Sequence, residues 1–415
     1  MLRKPKNELG FIPWHTPDNL MYLKNYLLNM IINIMKKSSL IIIFLLFTAA
    51  CLKGQNSTLD LIKLTKTKEY KNTTDVFEMS EVIPLETLAK TVTKAGTTVV
   101  NQDNIYIFSN AQGCVLKFDR KGKFIGKIGK QGRGPGEYIS AFNLTLFRFH
   151  KNNIYLFDGM GSKILKYRTD GQMYQSIPLK EKPGGFIFSD MLNEDCFFIA
   201  RSSPFFYKSQ SGTYSELLSY DIKGNLTYKF PLNPNSKNYK DLMYPSIFYH
   251  FENMVYYKSP YCDTVFKILE PSKRIATYTL SPGSKRIESN ETKNGIAVYG
   301  LHETQKYLLI DYIFNGNKRA VYDKINGAFF QVSSLEEAKS NNIDKCVFLW
   351  SEPLILNESM VPGEFITYIE PSVLKRLDLN NLEIPSAYVK SELIKLQNKI
   401  TENDNPIIVV MKEKK

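Results

Sequence analysis

Along most of this chain apolar and polar residues alternate with a period of two, and short polar turns interrupt the alternation at regular intervals. Five segments repeat one order: an alternating run, an aromatic residue, a turn containing Asp, Asn, Gly or Pro, and a second alternating run. They are CVLKFDRKGKFIGKIG (114–129), KILKYRTDGQMYQSIPL (163–179), ELLSYDIKGNLTYKFPL (216–232), TVFKILEPSKRIATYTL (264–280) and RAVYDKINGAFFQVSS (319–334). Alternation places every second side chain on one face of a strand and the turn residues reverse the chain, so each segment reads as a β-hairpin. The aromatic before each turn, Phe118, Tyr167, Tyr220, Phe266 and Tyr322, recurs about every 50 residues. That spacing lies at the long end of the periods that mark propeller blades, in which no single sheet can bury its own faces.

A further strand precedes each hairpin: NIYIFSN (104–110), NIYLFDG (153–159), CFFIARS (196–202), MVYYKSP (254–260) and KYLLIDYI (306–313). Aromatic and β-branched enrichment favours strand over helix in each. A sixth member, FITYIEP (365–371), keeps the spacing but leads into the helical-looking SVLKRLDL. The expected fold is therefore all-β, a six-bladed β-propeller over residues 76–415, with five regular blades and an irregular sixth. Two isolated strands, VFEMSEVIPLE (76–86) and NPIIVVMKEKK (405–415), are candidates to close that sixth blade and remove the exposed edges of an open ring. Between them SAYVKSELIKLQNKI (386–400) reads as a short C-terminal helix with a partial stripe at Tyr388, Leu393, Ile394 and Leu396.

The amino-terminal part has another character. Met35, Lys36 and Lys37 precede the apolar LIIIFLLFTAAC (40–51), which gives the basic start, short apolar core and small-residue end of a secretory signal over 35–50. Cys51 at the cleavage point matches a lipid-attachment cysteine, although Thr48 stands where Leu is usual, and cleavage after Ala50 without lipidation is the alternative. Residues 1–34 are expected to be an upstream extension arising from start assignment, and 51–75 a tether.

Charge and cysteines change this picture little. The net charge of +13 comes from 54 basic and 41 acidic residues scattered over turns and exposed strand positions, which argues for a solvated surface rather than nucleic-acid binding. Cys114, Cys196, Cys262 and Cys346 fall in different blades, with no CxxC and no metal-like spacing, and read as buried small hydrophobes.

FDRKGKFIGKIGKQGRGPGEY (118–138), YCDTVFKI (261–268), IPLE (83–86) and ENDNPIIVV (402–410) together resemble the six-bladed β-propeller lipoproteins of gut-type Gram-negative bacteria, which are distantly similar to NHL-repeat propellers. The resemblance covers residues 76–415. It implies an outer-membrane lipoprotein, periplasmic or surface-facing, and no particular reaction.

Within GKQGRGPGEY (129–138) four glycines beside Lys130 and Arg133 can present backbone N–H groups to an anion, or can simply carry a tight blade-to-blade turn. In an up-and-down propeller this connection shares a face with the loops between second and third strands. Arg133, Glu137, Tyr138, Asp158 and Asp263 are therefore candidate ligand contacts on one face. The loop SSPFFYKSQSGTYSE (202–216) adds Phe205, Phe206 and Tyr207 as an aromatic recognition surface, or as rings packed back on their own blade. Catalytic patterns are absent: His150, His250 and His302 are isolated in the sequence, with no HxH, HExxH or GxSxG. The expected function is a non-catalytic, lipid-anchored binding module, a monomeric propeller with an envelope protein, peptide or glycan as partner and no cofactor. The alternative is a metal-dependent hydrolase of the lactonase type, with a divalent cation such as Ca in the central channel.

Overall fold

Strand pairing in a computed structural model of the chain resolves into six separate sheets. The structure describes residues 57–414 except 68, 70–72, 94–96, 140–143, 184–186, 202–206, 209–213, 232–244, 261, 288–294, 333–356, 362, 382–383 and 385. The chain divides into two units, residues 1–56 and Ser57–Lys415, and every described residue lies in the second. The proposed signal and Cys51 thus lie outside the described residues.

The six sheets form the blades of a β-propeller. Blades 1 to 5 are consecutive antiparallel meanders beginning at Thr98, Leu144, Ile187, Ile247 and Ala297. Their hairpin turns explain the repeat seen in the sequence. The Asp119 carboxylate accepts the Lys121 and Lys123 amides at 2.8 and 2.9 Å, Asp221 accepts those of Lys223 and Asn225 at 2.8 Å, and Asp323 accepts those of Ile325 and Asn326 at 2.9 and 3.1 Å. Each Asp therefore folds its own turn. Gly122 and Gly224 follow with φ of 83° and 75°. A Cβ at either would stand 2.0 Å from the carbonyl of Pro84 or Pro178 in the preceding blade, so only glycine permits this approach.

Blade 6 is closed by both ends of the propeller. Its order outward is Asn357–Glu358, Glu364–Ile369, Ile407–Glu413, then Phe77–Pro84. The last strand of the chain is thus a central strand of its sheet, pairing Ile408 with both Ile83 and Tyr368. Ile407 through Met411 are all at most 1 % exposed, because they face the cores shared with blade 5 on one side and blade 1 on the other. The helix Ala387–Lys399 is capped by Ser386 and buries Val389 and Leu393. Tyr388, expected on its apolar stripe, is instead 61 % exposed. Gln397 pins this helix to Pro371–Arg376 by donating 2.7 Å hydrogen bonds to the Leu374 and Leu377 carbonyls.

One expectation is corrected. Residues 57–66 belong to the fold rather than to a tether. Ser57–Asp60 adds a parallel fifth strand to blade 4, pairing with Tyr278–Ser281. Leu59, Leu61 and Leu64 are at most 3 % exposed in a core that also contains Leu280 of blade 4 and Phe329 of blade 5. Hydrophobic burial makes this segment a bridge between two blades.

Candidate functional site

In blades 1, 2 and 5 the turn between first and second strands lies beside the turn between third and fourth. The Arg120 amide donates to the Asp103 carbonyl at 3.2 Å, Thr169 to Asn152 at 3.2 Å and Lys324 to Lys306 at 2.8 Å. Both sets of turns therefore emerge on one face. Around the axis on that face the innermost strands of the blades surround a cavity of about 550 Å³, within the range that holds small-molecule ligands.

Its wall carries a charged core built from three successive blades. Arg148, Asp190 and His250 stand on the innermost strands of blades 2, 3 and 4. The Arg148 guanidinium donates from Nε and Nη2 to the two Asp190 oxygens at 2.9 and 2.8 Å, a bidentate geometry that fixes its plane. His250 Nε2 lies 3.1 Å from both oxygens of the same carboxylate, and the Met191 amide donates to Asp190 Oδ1 at 2.8 Å. Asp190 is fully buried, whereas Arg148 and His250 are each about 30 % exposed. Burial disfavours the Asp190 charge, yet Arg148 and then His250 outweigh it and hold the carboxyl well below its usual range. The carboxylate is thus an ionised anchor that orients a cation and an imidazole in the cavity wall.

Glu303 occupies the wall contributed by blade 5. Its carboxylate accepts from Tyr249 at 3.0 Å and Tyr278 at 2.7 Å and meets Lys324 at 2.9 Å. Burial, followed by this carboxylate, raises both phenol pKa values far above the ordinary tyrosine range, so both remain donors. Phe149, Phe251 and Phe365 give the cavity apolar surface between its polar groups.

The residues singled out from the sequence lie elsewhere. The 129–138 connection is held by its own bonds and by blade 2: the Gly132 amide donates to the Tyr138 carbonyl at 2.9 Å, Glu137 accepts the Gly134 amide at 2.9 Å and pairs with Lys130 at 3.2 Å, and Lys163 and Tyr167 donate to the Glu137 and Gly136 carbonyls at 2.6 Å. The Gly134 amide, then Lys130, hold the Glu137 carboxyl below its usual range. The Tyr138 hydroxyl donates to the Gly113 carbonyl, and Arg133 is exposed. Asp158 is buried and accepts the Ile139 and Gly161 amides at 3.1 and 2.9 Å. Glu137, Tyr138 and Asp158 are therefore brought together between blades 1 and 2. Asp263 sits apart in blade 4, paired with Arg286. Phe205 and Phe206 lie outside the described residues, and Tyr207 belongs to a two-residue strand paired with Tyr214–Ser215. Arg133, Glu137, Tyr138, Asp158 and Asp263 do not line the cavity, which opens on the opposite face.

Histidines isolated in the sequence are not isolated in space. His250 joins Asp190, and His302 Nε2 lies 3.9 Å from Asp311, which Arg319 grips in a bidentate pair. Burial pushes the His302 pKa down to about 4. Cys114, Cys196 and Cys262 are buried free thiols, outside any disulfide. Among the described residues no group of three or more His, Cys, Asp or Glu side chains is placed to hold a metal ion.

Comparison with known proteins adds the lineage of the fold. An exported-class protein of Bacteroides fragilis NCTC 9343 superimposes with a TM-score of 0.62 at 18 % identity, covering 87 % of this chain and 99 % of that one. A member of the DUF4221 family from Bacteroides vulgatus ATCC 8482 gives 0.51 at 10 % identity, covering 81 % and 98 %. At such identities the likeness is one of fold. No curated protein matches the sequence. The family described as "Domain of unknown function (DUF4934)" matches residues 57–412, from the strand that bridges blades 4 and 5 to the strand that closes the ring, and the chain belongs to that family.

Proposed function

We propose that this protein is an exported, lipid-anchored binding module of the cell envelope that takes a small polar ligand into the axial cavity without transforming it. The cavity carries the reading: it lies on the propeller axis and combines apolar surface with charged groups held rigidly by buried partners. Pre-oriented polar groups in a concave apolar setting are what ligand recognition requires. The signal-like segment before Cys51 and the fold shared with a protein described as exported support export and anchoring. The metal-dependent alternative calls for several converging carboxylates or imidazoles, and no observation favours it.

Gln305 stands exposed at the cavity mouth, so Gln305→Trp is expected to cover the opening without disturbing the core. Mass spectrometry of gently purified protein should find a small molecule with the wild type and at least tenfold less with the variant. Equal small-molecule content in the two would remove the cavity from consideration.

A further inference from the structure

The charges around the cavity are not evenly mixed. Neighbouring inner strands and shared cores place the blades in sequence order around the ring, so blade 2 lies opposite blade 5. Blade 2 supplies Arg148, His150 and Lys151 to the wall, and no acidic side chain. The far side receives Glu252 at the end of blade 4, Glu303 from blade 5 and Glu413 from blade 6.

Local pairing leaves this separation in place. Near blade 2, Arg148 meets Asp190, while Glu194 is shared by Lys151 at 2.6 Å and Lys166 at 3.9 Å, and neither carboxylate is one of the residues lining the wall. On the other side Glu303 is matched by Lys324. Glu413, however, is held by neutral donors: the Thr304 hydroxyl at 2.7 Å and the Lys306 and Gln305 amides at 2.9 and 3.1 Å. Glu252 accepts from Gln305 Nε2 at 3.0 Å. No cation among the described residues forms an ion pair with either. Across a partly desolvated cavity, such a field favours a ligand carrying opposite charges at its two ends.

Resting on the cavity reading above, we propose that the ligand is a short zwitterionic peptide. Its carboxylate lies toward Arg148 and Lys151 and its ammonium toward Glu252 and Glu413. Phe149 and Phe251, both half-buried, receive its apolar side chains. A simple carboxylate satisfies one pole and leaves the other in place, and a simple amine does the reverse.

Titration calorimetry at low ionic strength with glycyl-leucine, N-acetylglycyl-leucine and glycyl-leucinamide tests this directly, because the capped forms remove one charge each. Glycyl-leucine is expected to bind at least tenfold more tightly than either. Lys151 is 67 % exposed and Glu252 is also exposed, so Lys151→Gln and Glu252→Gln should leave the fold intact. Lys151→Gln should erase the preference for a free carboxylate and keep that for a free amine, and Glu252→Gln should do the opposite. Equal binding of the three compounds, binding of none of them, or variants that lose both preferences together would overturn the zwitterion assignment. If Gln305→Trp still strips a co-purifying molecule in that case, the cavity remains the binding site and only its ligand class is wrong. If Gln305→Trp has no effect, the cavity reading itself fails.

Discussion

Truncation after Asp404, which removes the strand Ile407–Glu413, is expected to leave no cooperatively folded propeller. Five consecutive side chains, Ile407 to Met411, are buried to 1 % exposure or less, and each contributes roughly 1.5–3 kcal/mol when fully buried. Their sum is comparable to the whole net stability of a typical folded protein, about 5–15 kcal/mol. Loss of the strand also separates Phe77–Pro84 from Glu364–Ile369 and exposes unpaired edges on both. Circular dichroism melts and limited proteolysis would read the result. A truncated chain that melts cooperatively within a few degrees of the full one would show that the ring does not depend on closure by its two ends.

Asp190→Asn is expected to destabilise the protein by about 3 kcal/mol, the lower end for breaking a buried ion pair, because Arg148 and His250 retain some access to solvent. That corresponds to a fall in Tm of roughly 5 °C. The pH dependence gives a second signature. The folded-state pKa of Asp190 is depressed, so its contribution is complete above the unfolded value of about 3.9 and is lost as pH falls below it. Below about pH 4 the wild type should therefore lose stability faster than the variant. His302 acts in another window: with a folded value of about 4 it withholds a proton that the unfolded chain takes up near 6.5, so its effect spans about pH 6.5 to 4 in both proteins. Identical melting temperatures and acid profiles for wild type and Asp190→Asn would show that the carboxylate anchors nothing.

The blades were legible in the sequence because their information is local. Alternation defines each strand, and Asp119, Asp221 and Asp323 fold turns only a few residues long. Closure was legible as well, since 76–86 and 405–415 are strands with no neighbour in sequence. The strand Ser57–Asp60 was not, because four residues are too few to show a period and their partner, Tyr278–Ser281, is distant and parallel. The cavity was least legible of all. Arg148, Asp190 and His250 stand on three different strands, Asp190 being 42 and 60 residues from the other two, and only the ring brings the three together. Arg148 in LTLFRFH, Asp190 in IFSDMLN and His250 in IFYHF, each an ionisable side chain within an innermost strand, were the available signal. The glycines of 129–138 drew attention instead, and their density reflects a tight turn between blades.

The most direct measurement is a crystal structure of the protein with glycyl-leucine, or with whatever molecule accompanies it through gentle purification. The account predicts ligand density in the axial cavity, in contact with Arg148 or Lys151 at one end and Glu252 or Glu413 at the other. Density on the opposite face against Arg133 and Glu137, with only water in the cavity, would contradict it.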